Sequence, residues 1–268
     1  MNPPAHDPAR PLRRVTAHLI ATTPHHTTAI THANGAPALP GARVPFGADP
    51  ADIARTAAGL PPTTPLTPHD LRTELHHLPG PLHLHIDRLY YTAPAPPTTH
   101  PTLPHDHALT LPAHPAPTDL LPDEPPTPHP RLSRIAAYAI ATTPDHILLT
   151  RISPGFPGAG TWHLPGGGVD HGENARDALA RELIEETAQT GVIGDLITFT
   201  NHHRPATPTS PEIHSVWAFF HVHIPHPTTP RVTETNGSTC QAAWFPRHAL
   251  PHPLSSTARR GLTALARP

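Results

Sequence analysis

The clearest hydrophobic pattern in the chain is an apolar stripe at helical spacing in the C-terminal half. Its members are Ala175, Ala178, Leu179 and Leu183. Residues spaced in this way share one face, so the stripe would bury one side of a helix that follows a glycine turn. A last helix is predicted over Ser256 to Ala266.

Apolar runs predict strands on both sides of the first helix. Ile135 to Thr142 and His146 to Arg151 are predicted to pair as a hairpin, because a short polar turn joins them. Leu196 to Asn201 and His214 to Ile224 are predicted to be further strands of the same half.

The N-terminal half carries strand patterns of its own. Leu82 to Ile86 alternates between apolar and polar residues, which predicts a strand with His83 and His85 facing outward. Arg88 to Thr92 is predicted to be the next strand.

Two segments of the N-terminal half recur in the same order in the C-terminal half. Arg14 to Pro24 parallels Arg134 to Pro144. Leu39 to Val44 aligns with Leu164 to Val169. Ordered recurrence favours a duplication, while chance alignment of Ala/Pro/Thr-rich sequence is the competing interpretation.

The helix predicted in the N-terminal copy has no cluster of glutamates. Gly47 falls where Gly172 stands, and Asp49-Pro50 is a helix start signal. No cluster of glutamates follows Pro50. We therefore expect that this helix cannot hold a metal in the way that the C-terminal helix could.

Composition narrows the classes of partner. All 18 cationic residues are arginine, and the formal net charge is −2. Without a basic block, a nucleic-acid polymer or an anionic membrane is not expected as the main partner, whereas a nucleotide-sized ligand needs no such patch. The 42 prolines and 26 histidines are typical of a GC-rich coding sequence. The histidines are scattered, which disfavours a dedicated histidine metal site or pH sensor.

The cellular compartment is predicted from features that the sequence lacks. Cys240 is the only cysteine, so an intrachain disulfide is excluded. No signal-peptide-like core follows Met1, and no apolar run approaches a membrane span. A soluble cytoplasmic protein is expected.

Three glutamates on the first helix are the main candidate chemistry. Glu182, Glu185 and Glu186 stand at i, i+3 and i+4 and so share a face. Adjacent carboxylates repel one another, and a divalent cation such as Mg²⁺ or Mn²⁺ would relieve that repulsion with oxygen ligands alone. A solvated acidic face is the alternative interpretation.

The residues before and within this helix resemble a known signature. Leu-Pro-Gly-Gly-Gly-Val-Asp-His-Gly-Glu from Leu164, followed by Arg-Glu-Leu-Ile-Glu-Glu-Thr from Arg181, is similar to the Nudix box. The family pattern then continues with a glycine and an aliphatic residue, whereas this chain has Ala188 and Gln189. The expected pair comes later, at Gly191 and Val192. We interpret this as a small extension of the helix, with the glycine as its C-cap.

The resemblance implies roles for individual residues. Glu182, Glu185 and Glu186 would be metal ligands, the Gly166 carbonyl could add another, and Glu182 is also a candidate to orient or deprotonate the attacking water. Arg181 is expected to pair with Glu173.

Substrate contacts are expected from the glycine turn and from a later loop. Gly167 and Gly168 let a ligand approach the backbone closely. Arg204, in a loop predicted to overhang the site, could pair with a phosphate, or it could be an ordinary exposed arginine. Glu212 is an alternative base.

The resemblance also implies an architecture: an α/β/α sandwich with a mixed sheet, in two tandem copies. Residues 11–112 would form a degenerate Nudix-like domain, residues 113–130 a proline-rich extended linker, and residues 131–266 the Nudix hydrolase domain.

The function implied is that of a Mg²⁺-dependent pyrophosphohydrolase, with Mn²⁺ as a substitute, which cleaves the diphosphate of a small nucleoside diphosphate derivative. The alternative is a nucleotide-sensing module that binds without turnover, in which the N-terminal copy mediates partner binding or homodimer formation. A third option makes that copy a scaffold that covers the active domain.

Overall fold

The computed structural model describes residues 12–22, 26–31, 36–79, 83–94, 102–104, 112–125 and 127–266. Its strands are β1 (Leu12–Thr22), β2 (His26–Thr28), β3 (Ile30–Thr31), β4 (Pro37–Ala38), β5 (Gly41–Arg43), β6 (Thr67–His77), β7 (His83–Pro94), β8 (Thr102–Pro104), β9 (Arg131–Ala141), β10 (His146–Ile152), β11 (Trp162–His163), β12 (Gly166–Gly168), β13 (Val192–Arg204), β14 (Glu212–His223) and β15 (Thr239–Pro246). Its helices are α1 (Pro50–Ala57), α2 (Ala175–Thr187) and α3 (Ser256–Leu265).

The described residues fall into two compact units. Unit 1 contains the described residues up to 133 together with residues 203–214, and unit 2 contains residues 134–202 and the described residues from 215 onward. The predicted domain limits of 11–112 and 131–266 stay a prediction.

Unit 1 is built on a mixed sheet. Its strand order is β6-β7-β1-β2-β8, and β5 also pairs with β1. β1 runs parallel to β7 and antiparallel to β5. α1 begins as predicted, because the Asp49 side chain accepts the Ala51 N–H and Pro50 occupies the first turn, where its missing N–H costs nothing.

Two predictions for unit 1 are wrong. A single strand, β7, replaces the two short strands expected near residues 82–92, although Leu82 itself lies outside the described residues. His85 does not face outward: it is fully buried and shares a hydrogen bond with buried Asp87. β7 is covered on both faces, so its alternation marks two kinds of buried contact and not a solvent face.

The predicted extended linker is ordered in part as a piece of unit 1. Residues 117–120 form a short 3₁₀ helix, and Leu120 is buried in a cluster with Leu12, Leu84 and Ile86. The Arg14 guanidinium donates to the Leu120 and Leu121 carbonyls. An extended linker is therefore the wrong description of this stretch.

Unit 2 contains a three-stranded sheet, β11-β10-β15, and a four-stranded sheet, β12-β9-β14-β13. β9 and β10 form where strands were predicted, but the predicted hairpin is wrong, because the two strands belong to different sheets and meet only at the bridge between Thr142 and Ile147. The predicted mixed-sheet α/β fold is confirmed.

Two helices cover opposite faces of the four-stranded sheet. On the α2 side, Arg176 lies over the Phe220 ring at 4.8 Å. On the α3 side, Gly261 packs so closely that an added methyl would come within 2.7 Å of the Phe219 ring. Since neighbouring residues of a strand point to opposite faces, α2 and α3 are on different sides of β14.

In the part of the chain that the structure describes, no helix is both long enough and apolar enough to cross a membrane.

Candidate active site

The helix α2 is fixed at its start by Asn174. The Asn174 side chain accepts hydrogen bonds from the backbone N–H groups of Arg176 and Asp177, which would otherwise lack partners at a helix N-terminus. The predicted apolar stripe is buried, as Ala178, Leu179 and Leu183 show. The acidic residues are thereby held in a defined rotation about the helix axis.

The predicted extension of this helix is wrong. α2 ends at Thr187, and Ala188 takes a left-handed conformation with φ of 53° as the C-cap. Gly191 is required for a different reason, because a methyl there would come within 2.6 Å of Val222 and 3.1 Å of Leu183. The glycine is needed for close packing and does not cap the helix.

Glu186 is the buried member of the carboxylate trio, with a relative exposure of 1%. One carboxylate oxygen accepts the Gly166 N–H at 2.9 Å, and the other accepts the Thr239 hydroxyl. Burial raises the pKa of Glu186 to about 8, although both hydrogen bonds act in the opposite direction. Glu186 therefore ties the helix to the glycine turn.

Arg181 holds the exposed side of the cluster together. Its guanidinium donates to both oxygens of Glu173 at 3.0 Å, so the predicted ion pair is present. The Nη1 atom also contacts Glu182 and Glu185, each at 3.1 Å. The pKa of Glu173 is lowered mainly by this pairing. One guanidinium thus positions three carboxylates, as a planar fork of donors can.

The glycine turn approaches the helix more closely than other residues would allow. Gly166 has φ of +131°, and a methyl there would come within 2.2 Å of the Ala137 carbonyl oxygen. A methyl on Gly167 would be 2.6 Å from a Glu182 carboxylate oxygen. Gly166 therefore permits close packing of the turn against β9, and Gly167 permits its contact with α2.

The carboxylates have the chemistry of a site for a hard divalent cation. Burial raises the pKa of Glu182, and Glu185 and Glu234 add repulsion that Arg181 offsets only in part. A bound cation would relieve this, and oxygen donors suit Mg²⁺ or Mn²⁺. Within the described ranges, no three His, Cys, Asp or Glu side chains are arranged so that they could hold a metal ion. Instead, the Arg181 Nη1 atom contacts Glu182 and Glu185, and Glu186 accepts the Gly166 N–H.

Three further candidate residues are Gly168, Arg204 and Glu212. Gly168 belongs to β12, beside β9. Arg204 is exposed at the end of β13, in the stretch that groups with unit 1. Glu212, in the same stretch, pairs with Arg131 and His203, and these contacts lower its pKa, the His203 bond most. The roles predicted for Arg204, Glu212 and Gly168 stay predictions.

Two residues of this site carried no signal in the sequence. Thr239 donates its hydroxyl to Glu186, and its N–H donates to the Glu234 carboxylate at 3.2 Å. Glu234 also donates its own N–H to the Glu185 carbonyl. Both follow α2 by about fifty residues, so no local spacing connects them to the helix.

The C-terminal half of the chain is similar to known proteins. A family model described as the NUDIX domain matches residues 132–265. Over 119 residues the chain is 30% identical to the oxidized purine nucleoside triphosphate hydrolase of Mus musculus. The match covers 44% of this chain and 70% of that protein. Over 99 residues it is 34% identical to the 8-oxo-dGDP phosphatase NUDT18 of Homo sapiens, which covers 35% of this chain and only 27% of that protein. A solved structure, the MutT NUDIX hydrolase of Burkholderia pseudomallei, is 29% identical with a TM-score of 0.44, and the match covers 50% of this chain and 99% of that one.

Proposed function

The chain belongs to the Nudix family of phosphoanhydride-cleaving hydrolases, and on that premise we propose that unit 2 is a Mg²⁺-dependent pyrophosphohydrolase of a nucleoside diphosphate derivative. The observation that carries the proposal is the cluster on α2: Glu182, Glu185 and Glu186, organised by Arg181 and joined to the glycine turn.

The three glutamates and the Gly166 carbonyl would hold the cation. A bound divalent cation lowers the pKa of water and neutralises charge on phosphate oxygens. Glu182 would orient the attacking water or accept its proton. The water oxygen bonds to phosphorus, the anhydride P–O bond breaks, and the bridging oxygen leaves with the remainder. The products are a nucleoside monophosphate and a phosphorylated remainder, or pyrophosphate from a triphosphate.

Substrate contacts would come from the backbone of Gly167 and Gly168, with Arg204 as a further phosphate ligand. The two relatives are named for oxidized purine nucleotides. Such nucleotides therefore head the substrate panel, followed by ordinary triphosphates, ADP-ribose, nucleotide sugars and dinucleotides.

A nucleotide-sensing module is the second candidate. The contact of one Arg181 nitrogen with both Glu182 and Glu185 favours it, because a guanidinium in that position neutralises the cluster without a metal. In this case nucleotides would bind and leave unchanged.

The test is Mg²⁺-dependent product release from the panel by the native protein and by Glu182→Gln. Turnover should fall at least about 100-fold in the variant, since metal and water contacts are each worth several kcal/mol. Asp195→Asn, an exposed acidic residue of β13, is the matched control and should keep native rates. Absence of turnover by the native protein together with calorimetric nucleotide binding would replace the hydrolase with the sensor.

A further inference from the structure

The loop that joins β14 to β15 in unit 2 contains an Asn-Gly pair, Asn236 and Gly237. An asparagine before a glycine is especially prone to deamidation, because no side chain on the glycine hinders attack of its backbone nitrogen on the asparagine Cγ atom. The chain has a second such pair, Asn34 and Gly35, which lies outside the described residues.

The fold of this loop favours both residues of the pair. Asn236 has φ of 59°, in the left-handed region that asparagine adopts more readily than most residues with a Cβ atom. A methyl added to Gly237 would come within 1.8 Å of the Glu234 Cδ atom and 1.9 Å of one carboxylate oxygen. Gly237 therefore makes room for the Glu234 carboxylate, and the packing itself places a glycine after Asn236.

The atoms that would react are not held by other contacts. Asn236 is exposed to solvent. Within the described part of the chain, the Asn236 side chain makes no hydrogen bond and the Gly237 N–H donates none. The nitrogen, the side-chain amide and water can therefore meet without the loss of a hydrogen bond of the fold.

The two other asparagines in the described ranges have different surroundings. Asn174 caps α2, and its side-chain oxygen accepts two backbone N–H groups. Asn201 lies within β13. The residues that follow them, Ala175 and His202, carry side chains that hinder the attack that glycine permits. Both asparagines are therefore controls within the same molecule.

The β14–β15 loop is bonded to α2 on both sides of the Asn-Gly pair. Before the pair, the N–H groups of Thr233 and Glu234 donate to the Glu185 carbonyl at 2.8 and 3.1 Å. After the pair, the Thr239 hydroxyl donates to the Glu186 carboxylate. The pair thus lies between two attachments to the helix that carries the glutamate cluster.

We propose that Asn236 is a site of spontaneous deamidation, and that this modification detaches Thr239 from α2 and so inactivates unit 2 with age. The Gly237 nitrogen loses its proton and attacks the Asn236 Cγ atom, a C–N bond forms, and the side-chain nitrogen takes up a proton and leaves as ammonia. Water then adds to one carbonyl of the resulting succinimide, and the C–N bond to that carbonyl breaks. The products are aspartate and isoaspartate.

Both products change the contact between Glu234 and Thr239. The Thr239 N–H donates to the Glu234 carboxylate at 3.2 Å, which closes a ring that contains the peptide bond after Asn236. Isoaspartate adds one carbon to the main chain of that ring and displaces Thr239. Each product also adds a negative charge two residues from Glu234, which repels its carboxylate.

Peptide mapping tests the modification. After incubation of the native protein at mildly alkaline pH, the tryptic peptide of residues 232–247 should carry aspartate and isoaspartate at position 236. The peptides that contain Asn174 and Asn201 should keep their amides. An Asn236 amide that survives as long as those of Asn174 and Asn201 would overturn the proposal.

The effect on unit 2 is measured as turnover, and this part rests on the hydrolase proposal. The deamidated fraction of the native protein should lose kcat about tenfold, the value of one hydrogen bond to a charged group. Asn236→Gly is the matched control, because glycine adopts the left-handed conformation and carries no amide. Incubated alongside, it should keep its initial kcat, although it shares any change at Asn34. An equal loss in this variant, or native kcat after complete deamidation, would overturn the proposal.

Urea unfolding separates this proposal from the hydrolase itself. Deamidation should move the unfolding midpoint of the native protein to lower urea and leave that of Asn236→Gly in place, because the contact between Glu234 and Thr239 is lost. A protein without turnover before incubation that still shows this shift would reject the hydrolase and keep the modification site. Unchanged midpoints after complete deamidation would reject the detachment of Thr239.

Discussion

The two units build the same part of a sheet and then differ at the end of one helix. The order β5-β1-β7-β6 in unit 1 has the same connectivity as β12-β9-β14-β13 in unit 2. The register is also the same: Gly41 pairs with His18 as Gly166 pairs with Tyr138. These pairs are the ones that the sequence alignment sets opposite one another.

The helices that follow differ in length and chemistry. With Gly47 opposite Gly172, Ala57 stands opposite Glu182, and α1 ends there. α2 continues to Thr187 and so includes the turn that carries Glu185 and Glu186. Unit 1 has the sheet and the turn without the glutamate cluster, so neither feature depends on those carboxylates. Duplication of the fold stays a prediction that this correspondence supports.

Two buried carboxylates give the strongest test of that difference. Asp87 in unit 1 is paired with Arg13 and His85, and although burial acts to raise its pKa, these partners lower it. Asp87→Asn should destabilise the protein by about 3 to 5 kcal/mol, because it leaves buried charges unpaired. It should leave kcat of the folded protein unchanged.

Glu186→Gln should have the reverse profile. Turnover should fall at least about 100-fold, as expected for loss of a metal ligand, while stability near pH 5 changes little, because the folded carboxyl is neutral there as the amide is. Urea unfolding and steady-state kinetics on both variants measure this. A loss of kcat in folded Asp87→Asn comparable to that in Glu186→Gln would show that chemistry is not confined to unit 2.

The pH dependence of stability also distinguishes the two units. The Glu186 carboxyl has a pKa of about 8 when folded and an ordinary value near 4.5 when unfolded. Between these values the unfolded chain releases a proton that the folded chain keeps, so this group's contribution to stability is lost as pH rises from 4.5 to 8. Buried His18, with its pKa lowered to about 3, acts oppositely and loses stability as pH falls below 6.5.

The measurement is the difference in unfolding free energy between EDTA-treated native protein and Glu186→Gln across pH 5 to 8. As pH rises, the native protein should lose about 2 to 3 kcal/mol of stability relative to Glu186→Gln. Added Mg²⁺ should reduce the shift in the native protein only. A pH-independent difference would show that Glu186 titrates normally.

Features that depend on residues close together in the sequence were predictable. They are α2, the ion pair between Arg181 and Glu173, and the start of α1 at Asp49. The hairpin of β9 and β10 was predicted wrongly, because adjacency in the chain does not decide which sheet a strand joins.

Burial of polar residues was the other failure. His85 alternates as an exposed residue would, yet it is buried and shares a hydrogen bond with Asp87 of the same strand, and Asp87 in turn pairs with Arg13 of β1. Thr239 belongs to the site only because β15 begins beside α2. Neither relation leaves a periodic trace, so only the assembled sheets reveal them.

Substitution of Arg181 should have an intermediate effect on kcat. In unit 1 the corresponding residue is Thr56, which has no carboxylates to organise. Arg181→Gln should lower kcat about tenfold, less than loss of a glutamate, because the carboxylates remain but lose their fixed positions. Arg55→Gln in α1, which removes an exposed ion pair with Asp52, is the matched control and should leave kcat native. Equal kinetic effects of the two substitutions would remove the special role given to Arg181.

The smallest expected effect concerns Thr239, which bonds the buried oxygen of Glu186. Thr239→Val removes a hydrogen bond that stabilises the ionised carboxylate, so the pKa of Glu186 should rise further above its usual range. The acidic limb of the kcat profile should move to higher pH, and kcat at pH 7 should fall about threefold, consistent with one hydrogen bond. Thr239→Ser keeps the hydroxyl and should restore the native profile. Because α1 has no counterpart of Glu186, the same profile must be insensitive to Thr64→Val in unit 1. A shift there, or none in Thr239→Val, would show that the acidic limb does not belong to Glu186.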